Sequence, residues 1–240
     1  MKLKGQQKQW NRLAHADPFR AIFGHPEKRN RGWDPERFFA TGREEIAAAL
    51  QFAETIGLPA ERGRALDFGC GAGRLTQGLT HWYSHVTGVD ISSAMIDLAR
   101  KHNQAGSRCS YVLNTDSHLR QFEDNSFDLI YSRLTLQHVP ARFVRQYLRE
   151  FVRVLRPAGL ALIQLPSRLR SPSAWSRFGY RVNLWVGRTI LRTPGLLEMY
   201  GVPRETVVHD IERCGARVLN IRQDDCAGPE WESWQYAITK

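Results

Sequence analysis

Apolar positions recur along this chain in two rhythms. Between residues 44 and 56, Ile46, Leu50 and Ala53 fall three or four apart, which predicts a helix that starts after Thr41 and closes at Gly57 and Pro59. Residues 1–60 as a whole read as helices and loops, with Trp10, Phe19, Phe23, Trp33, Phe38 and Phe39 set among charged and turn residues. From residue 64 short apolar runs take over. Strands are predicted at 64–68, 86–90, 111–116, 127–134 and 159–166, and helices at 75–83, 92–103 and 140–155. Ser92 or Ser93 would cap the second of these helices, and Pro157 and Gly159 end the third. After Pro166 about 30 residues break the rhythm, too many for an ordinary connection. A helix at 204–215 and strands at 216–223 and 231–240 complete the chain. The link between those two strands holds Gly228 and Pro229 and no helical pattern, so the pair is expected to be antiparallel. Strands alternating with helices predict an α/β fold with a doubly wound, mostly parallel sheet and helices on both faces.

The composition allows such a core. Of 240 residues, 42% are hydrophobic and 24% charged, the proportions of a folded chain rather than a disordered one. Cys70, Cys109, Cys214 and Cys226 are scattered, with no CxxC pair and no His at ligand spacing, so neither a disulfide scaffold nor a metal site is expected. The N-terminal MKLKGQQKQWNRLAH holds no apolar core segment, and no run of roughly 18 uncharged apolar residues occurs. We therefore expect a cytoplasmic setting and no membrane-spanning helix. The formal charge of +10 is unevenly placed. Residues 46–141 sum to −1, whereas residues 142–192 hold 11 basic side chains and one acidic. A coat for nucleic acid would be spread along more of the chain.

The candidate chemistry lies at the end of the first predicted strand, in Asp67-Phe68-Gly69-Cys70-Gly71-Ala72-Gly73. Glycines there let backbone pass close to a ligand. Asp90 ends the next strand, where an acid can accept hydrogen bonds from ribose hydroxyls. Dinucleotide sites use GxGxxG and seat a pyrophosphate on the following helix. Here the third glycine comes one residue early, and Asp67 would repel a phosphate. A ligand that carries positive charge and no phosphate suits the pattern better.

This combination resembles the class I S-adenosylmethionine-dependent methyltransferases, nearest to the small-molecule, ubiquinone-biosynthesis-like group. ALDFGCGAGRLT, VTGVDISSAMIDLAR, NTDS (114–117) and FDLIYSRLTLQHVP (127–140) are similar to the family's successive motifs. The likeness covers roughly residues 40–166. It implies a Rossmann-like, seven-stranded sheet with one antiparallel strand near its end. It implies S-adenosylmethionine as cofactor, with Asp67, Gly69, Cys70, Gly71 and Gly73 in the first motif and Asp90 on the ribose. Met95 would lie by the adenine and Asp116 would meet its amino group, with Ile91, Ser117 and Arg133 also among the cofactor-binding residues and the fourth motif at the mouth of the site. Asp116 also reads as a loop cap, and Cys70 as a small packing residue. Arg43 would reach the methionine carboxylate, or is a plain surface arginine. Residues 1–60 become a helical cap on a methyltransferase domain spanning 61–240, with a basic insertion at 167–200.

Methyl transfer to a hydroxyl or amine also needs a proton acceptor. His138 follows the fourth strand and is the candidate base; the other reading is a histidine that fixes its loop by local bonds. No [DNS]-P-P-[YFW] sequence follows that strand, which argues against nucleic-acid bases as acceptors. The expected acceptor is a small molecule, and the basic stretch suits an anionic one. Arg177, Arg181, Arg188 and Arg192 would share one face of a helix beside Phe178, Val182, Trp185 and Thr189. That segment reads as a lid, as a peripheral membrane helix serving a lipid or quinone substrate, or as a face for an acidic partner. Trp10, Trp33, Phe38 and Phe39 would close the pocket's other side or pack in the core. The non-enzymatic alternative is a cofactor-binding regulatory or scaffold protein. A dehydrogenase is the weaker enzymatic one.

Overall fold

The computed structural model describes residues 3–23, 32–57, 62–170 and 197–240. Three helices open the chain: α1 (Leu3–Ala16), α2 (Pro18–Ile22) and α3 (Pro35–Glu54). Helix α3 starts six residues before the expected Thr41. The Asp34 carboxylate accepts from Arg37 N–H at 2.9 Å and Pro35 occupies the first turn, a stronger start signal than Thr41. The FFATG stretch (38–42) therefore lies inside the helix, and the Thr41 hydroxyl donates back to Phe38 O.

From Arg64 the chain alternates as read. Its elements are β1 (Arg64–Phe68), α4 (Arg74–Leu79), β2 (His85–Asp90), α5 (Ser93–Lys101), β3 (Cys109–Leu113), β4 (Phe127–Ser132), α6 (Ala141–Val154) and β5 (Leu155–Leu169). After the segment 170–203 come α7 (Arg204–Glu212), β6 (Arg217–Gln223) and β7 (Trp231–Thr239). The seven strands order as β3-β2-β1-β4-β5-β7-β6. Strands β1 to β5 pair in parallel, and β7 runs antiparallel to both β5 and β6. The one antiparallel strand is thus β7, as the C-terminal pattern required. Several boundaries moved, two of them with consequences. Strand β3 begins two residues earlier than the reading of 111–116, and β5 runs on to Leu169, so the basic insertion cannot begin at 167. The expected helical face of Arg177, Arg181, Arg188 and Arg192 lies outside the described residues. No helix among the described residues is long and apolar enough to cross a membrane.

Strand alternation builds two apolar layers. Leu66, Phe68, Ile130, Ala161 and Ile163 face α6 and α7, where Val144, Leu148, Phe151, Val207 and Ile211 complete one cluster. Ala65, Leu129, Tyr131 and Leu162 face the other way, onto Ile46, Ala49, Leu50 and Ala53 of α3 and Leu75 and Leu79 of α4. Helix α5 packs Ile96 and Ala99 on Cys70, Cys109 and Tyr111. The N-terminal helices are therefore not a separate lobe. Helix α3 is the outer layer of the sheet, and it presses on α4 through two glycines. A Cβ on Gly42 would sit 2.2 Å from Arg74 O, and one on Gly78 2.8 Å from Gly42 O.

That close crossing predicts the cost of one methyl group. Gly42→Ala should destabilise the fold by about 1–3 kcal/mol through overpacking. A denaturant melt checks this, and an unchanged midpoint would contradict it.

Candidate active site

The site grows from the way β1 ends. Gly69 N–H and Cys70 N–H both donate to Val89 O, at 2.7 and 3.0 Å, which ties the turn to β2. Gly69 has φ +82, and a Cβ there would lie 2.1 Å from Thr135 Oγ1. Only glycine permits this turn so near the loop after β4. Asp90 fixes the next part. Its Oδ2 accepts from Gly71 N–H at 2.9 Å and its Oδ1 from Ser92 N–H at 2.8 Å. Burial raises the Asp90 pKa, while those backbone bonds oppose the rise. A carboxylate has acceptor sites to spare beyond these two bonds.

A cavity opens at the carboxyl ends of β1, β2 and β4. The chain turns from one half of the sheet to the other between β1 and β4, and open α/β sheets bind ligands at that switch point. Gly69, Cys70, Gly71, Asp90 and Ile91 form one wall, and Asn114, Val139 and Tyr147 the next. Arg133, Leu134, Thr135 and His138 line the side below β4. Helix α1 contributes Leu3, Gln6 and Trp10, and α2 contributes Ile22. Gln6 donates to His138 O, and Asn11 Oδ1 accepts from the Ser92 hydroxyl at 2.6 Å. These two bonds hold α1 across the opening.

The structure brings together Gly69, Cys70, Gly71, Asp90, Ile91, Arg133 and His138, all of which the motifs had marked. Other marked residues lie elsewhere. Asp67 is 1% exposed and faces α4, because Leu66 and Phe68 on either side face α6. It accepts from the Thr76 hydroxyl at 2.6 Å, and burial pushes its pKa up to about 7 against that bond and the charge of Arg74. Gly73 caps α4 with φ +85. Met95 is fully buried beneath α5, outside the cavity lining. Asp116 is exposed, and a hydrogen bond with His118 holds its carboxyl below the usual range; Ser117 stays with it. Its position in the loop is fixed through its backbone oxygen, which accepts from Asn114 and Tyr147. Asn114 is the residue of NTDS that reaches the cavity. Arg43 is exposed on α3, away from the cavity. Trp10 lines the pocket, whereas Trp33, Phe38 and Phe39 pack with Phe19 and Phe23 in an aromatic cluster.

Sequence reading passed over Arg74, although it stood in the quoted first motif. Arg74 lines the cavity and donates to Glu45 Oε2 at 2.7 Å. Glu45 Oε1 also meets Arg133 Nη1 at 3.4 Å and the Tyr131 hydroxyl at 3.2 Å, and Arg133 Nη2 meets Asp224 at 3.2 Å. Four charged groups thus back one side of the cavity. A chain of amides backs another. Gln164 donates to Ser233 at 2.7 Å and to Gln137 at 3.4 Å, and Gln137 donates to His138 Nε2 at 3.1 Å. His138 Nδ1–H donates to Glu198 O at 3.2 Å. Burial pushes the His138 pKa down to about 4, against that backbone bond. Gln164 also accepts from Leu134 N–H, which holds Leu134 at φ +59 on the cavity wall.

Residues 66–163 match the family model described as a methyltransferase domain. The match spans less than half of the chain. Among curated relatives, a ubiquinone biosynthesis O-methyltransferase of Hahella chejuensis is 34% identical over 113 residues, 46% of this chain and 47% of that one. A trans-aconitate 2-methyltransferase of an Enterobacter species is 31% identical over 144 residues, 59% of this chain and 54% of the other. The chain therefore spans about half the length of these relatives. The fold is also that of magnesium protoporphyrin IX methyltransferase from Synechocystis, solved with bound SAH, at TM-score 0.67 and 16% identity over 99% of both chains. The methyltransferase cofactor is S-adenosylmethionine, and the residues present fit it. The glycine turn leaves room for backbone contact, Asp90 has acceptor capacity for ribose hydroxyls, and no pyrophosphate cradle is needed.

The turn at Gly69 makes this testable. Gly69→Ala adds strain and a clash with Thr135, so S-adenosylmethionine should bind about tenfold more weakly or worse. Isothermal titration, with circular dichroism as a check of folding, measures this. Unchanged affinity would contradict the turn's role.

Proposed function

We propose that this protein transfers the methyl group of S-adenosylmethionine to a small-molecule acceptor on oxygen, nitrogen or carbon. The observation that carries this reading is the glycine turn and Asp90 converging on one cavity at the switch point of the sheet. When bound, the cofactor supplies an electrophilic methyl group on a sulfonium. The chain's own residues bind, orient and exclude water. Gly69–Gly71 and Asp90 hold one side of the cleft, and Trp10, Leu3 and Ile22 shield it from solvent, which favours in-line transfer by positioning. Arg133, Thr135 and His138 face the remaining space, where an acceptor would enter. An anionic acceptor suits Arg133, and the four free thiols suit a reducing, cytoplasmic setting. Titration with S-adenosylmethionine, followed by a screen for tritiated-methyl transfer, tests the proposal. Binding with transfer supports it. Binding without transfer to any acceptor would favour a scaffold, and binding of NAD instead would favour a dehydrogenase.

For His138 the geometry favours positioning over proton transfer. The Nδ1–H bond to a carbonyl assigns the proton to Nδ1, and the lone pair on Nε2 is engaged by Gln137. A pKa near 4 also makes a weak base at neutral pH. The imidazole is then neutral throughout the working range, because its charged form appears only as pH falls through about 4. The profile of kcat/KM should accordingly show no limb from this residue between about pH 5.5 and 7.5. A limb near 6.5 that disappears in His138→Ala would restore the base.

A further inference from the structure

Much of the basic charge in the 142–192 stretch is neutralised within the domain. Arg145 pairs with Asp210, Arg153 with Glu150 and Asp124, Arg156 with Asp128, Arg168 with Glu232 and Arg170 with Asp225. Helix α1 differs. Leu3–Ala16 holds Lys4, Lys8 and Arg12 and no Asp or Glu. At about 100° per residue, Lys8 lies about 40° and Arg12 about 80° around the helix from Lys4, so the three form one stripe about 12 Å long. All three are exposed, and no ion pair or side-chain hydrogen bond to another described residue engages them. The opposite side of α1 carries Gln6, Leu13 and Ala14, all buried, with Leu3 and Trp10 on the cavity. The stripe therefore points away from the domain, on a helix that Gln6 and Asn11 hold across the cavity opening. Like charges four residues apart weaken a helix, and nothing in the described chain offsets Lys4 against Lys8 or Lys8 against Arg12. The counter-charge is to be sought outside the chain.

The row is straight and lies on a convex surface, with no aromatic ring between the cations on which a nucleic-acid base would stack. A broad anionic surface fits it better. Each Lys or Arg held near anionic headgroups improves partitioning roughly fivefold. The net charge of +10 adds attraction at longer range. Beneath α1 the cavity is lined by Leu3, Trp10, Ile22, Leu134 and Val139, apolar side chains that suit a molecule able to partition into lipid. We propose that the outer face of α1, through Lys4, Lys8 and Arg12, docks on an anionic phospholipid bilayer and sets the cavity opening against it. Docking of this kind needs no cofactor, so it stands or falls apart from the methyl-transfer reading.

Co-sedimentation of the full chain with vesicles tests this. The wild type should bind mixed phosphatidylcholine–phosphatidylglycerol vesicles at low salt, bind pure phosphatidylcholine weakly, and detach as ionic strength rises. Combining Lys4→Gln, Lys8→Gln and Arg12→Gln should lower partitioning onto the mixed vesicles roughly 100-fold. Combining Lys4→Arg, Lys8→Arg and Arg12→Lys, which keeps every charge, should leave it unchanged. Lys8→Glu alone, at the middle of the stripe, should weaken binding roughly 5- to 25-fold, and it decides the matter if the triple glutamine variant unfolds by circular dichroism. None of the three residues lines the cavity, so S-adenosylhomocysteine should bind every folded variant as it binds the wild type. A folded glutamine variant that sediments with mixed vesicles as the wild type does would put the membrane contact elsewhere and overturn the proposal. A wild type that ignores anionic vesicles would overturn it too, and binding of duplex DNA through the same residues would then assign the stripe to nucleic acid. Vesicle binding by a wild type that takes up no S-adenosylhomocysteine would refute the methyl-transfer reading and leave this surface standing.

Discussion

Glu45 joins parts of the chain that share no backbone hydrogen bonds. It belongs to α3, yet its two oxygens reach Arg74 at the start of α4, Tyr131 in β4 and Arg133 just beyond β4. Only about a tenth of the side chain is exposed. A charge so deeply placed is tolerable only when paired and hydrogen-bonded. The dependence is mutual, because withdrawing one member of such a pair leaves the other uncompensated, at a cost of about 3–5 kcal/mol. The N-terminal helices are thereby made part of the site. Without α3 the two arginines on the cavity wall would lose their common brace.

The sheet was legible because parallel strands buried on both faces appear as short apolar runs, and each of the seven was found near its expected place. Boundaries failed where two local signals competed. Thr41 resembles a cap, but Asp34 followed by Pro35 is better placed to start α3, and the apolar Phe38 and Phe39 extend its buried face. The glycine turn and Asp90 were legible for a related reason, since their geometry is set by adjacent residues. Arg43, Met95 and Asp116 depend on which way a helix or loop rotates in the assembled fold, and no spacing rule encodes that. Arg74 was hidden by its company: a basic residue after a glycine motif reads as helix surface until α3 is laid over it.

The amide chain from Ser233 through Gln164 and Gln137 to His138 has a different character from the charged network. It contains only neutral groups, and each is held in one orientation by the next. Gln164 and Ser233 are fully buried, so the orientation begins in the centre of the sheet and is carried outward to the cavity wall. A site built on such a chain keeps its geometry without depending on salt or on pH near neutrality.

His138 and its neighbours also secure the chain where it returns from the basic segment. His138 holds Glu198 O, Gln137 O accepts from Tyr200 N–H at 2.8 Å, and Pro166 O accepts from Val202 N–H at 2.9 Å. On the outgoing side, Arg170 N–H donates to Glu230 O at 2.9 Å. Both ends of the intervening sequence are therefore clamped to the same face of the domain. Closing a longer segment between clamped ends is cheap, about 0.6 kcal/mol for each doubling of length. The length of the sequence between these clamps can consequently change in evolution while the strands that carry the glycine turn and Asp90 remain untouched.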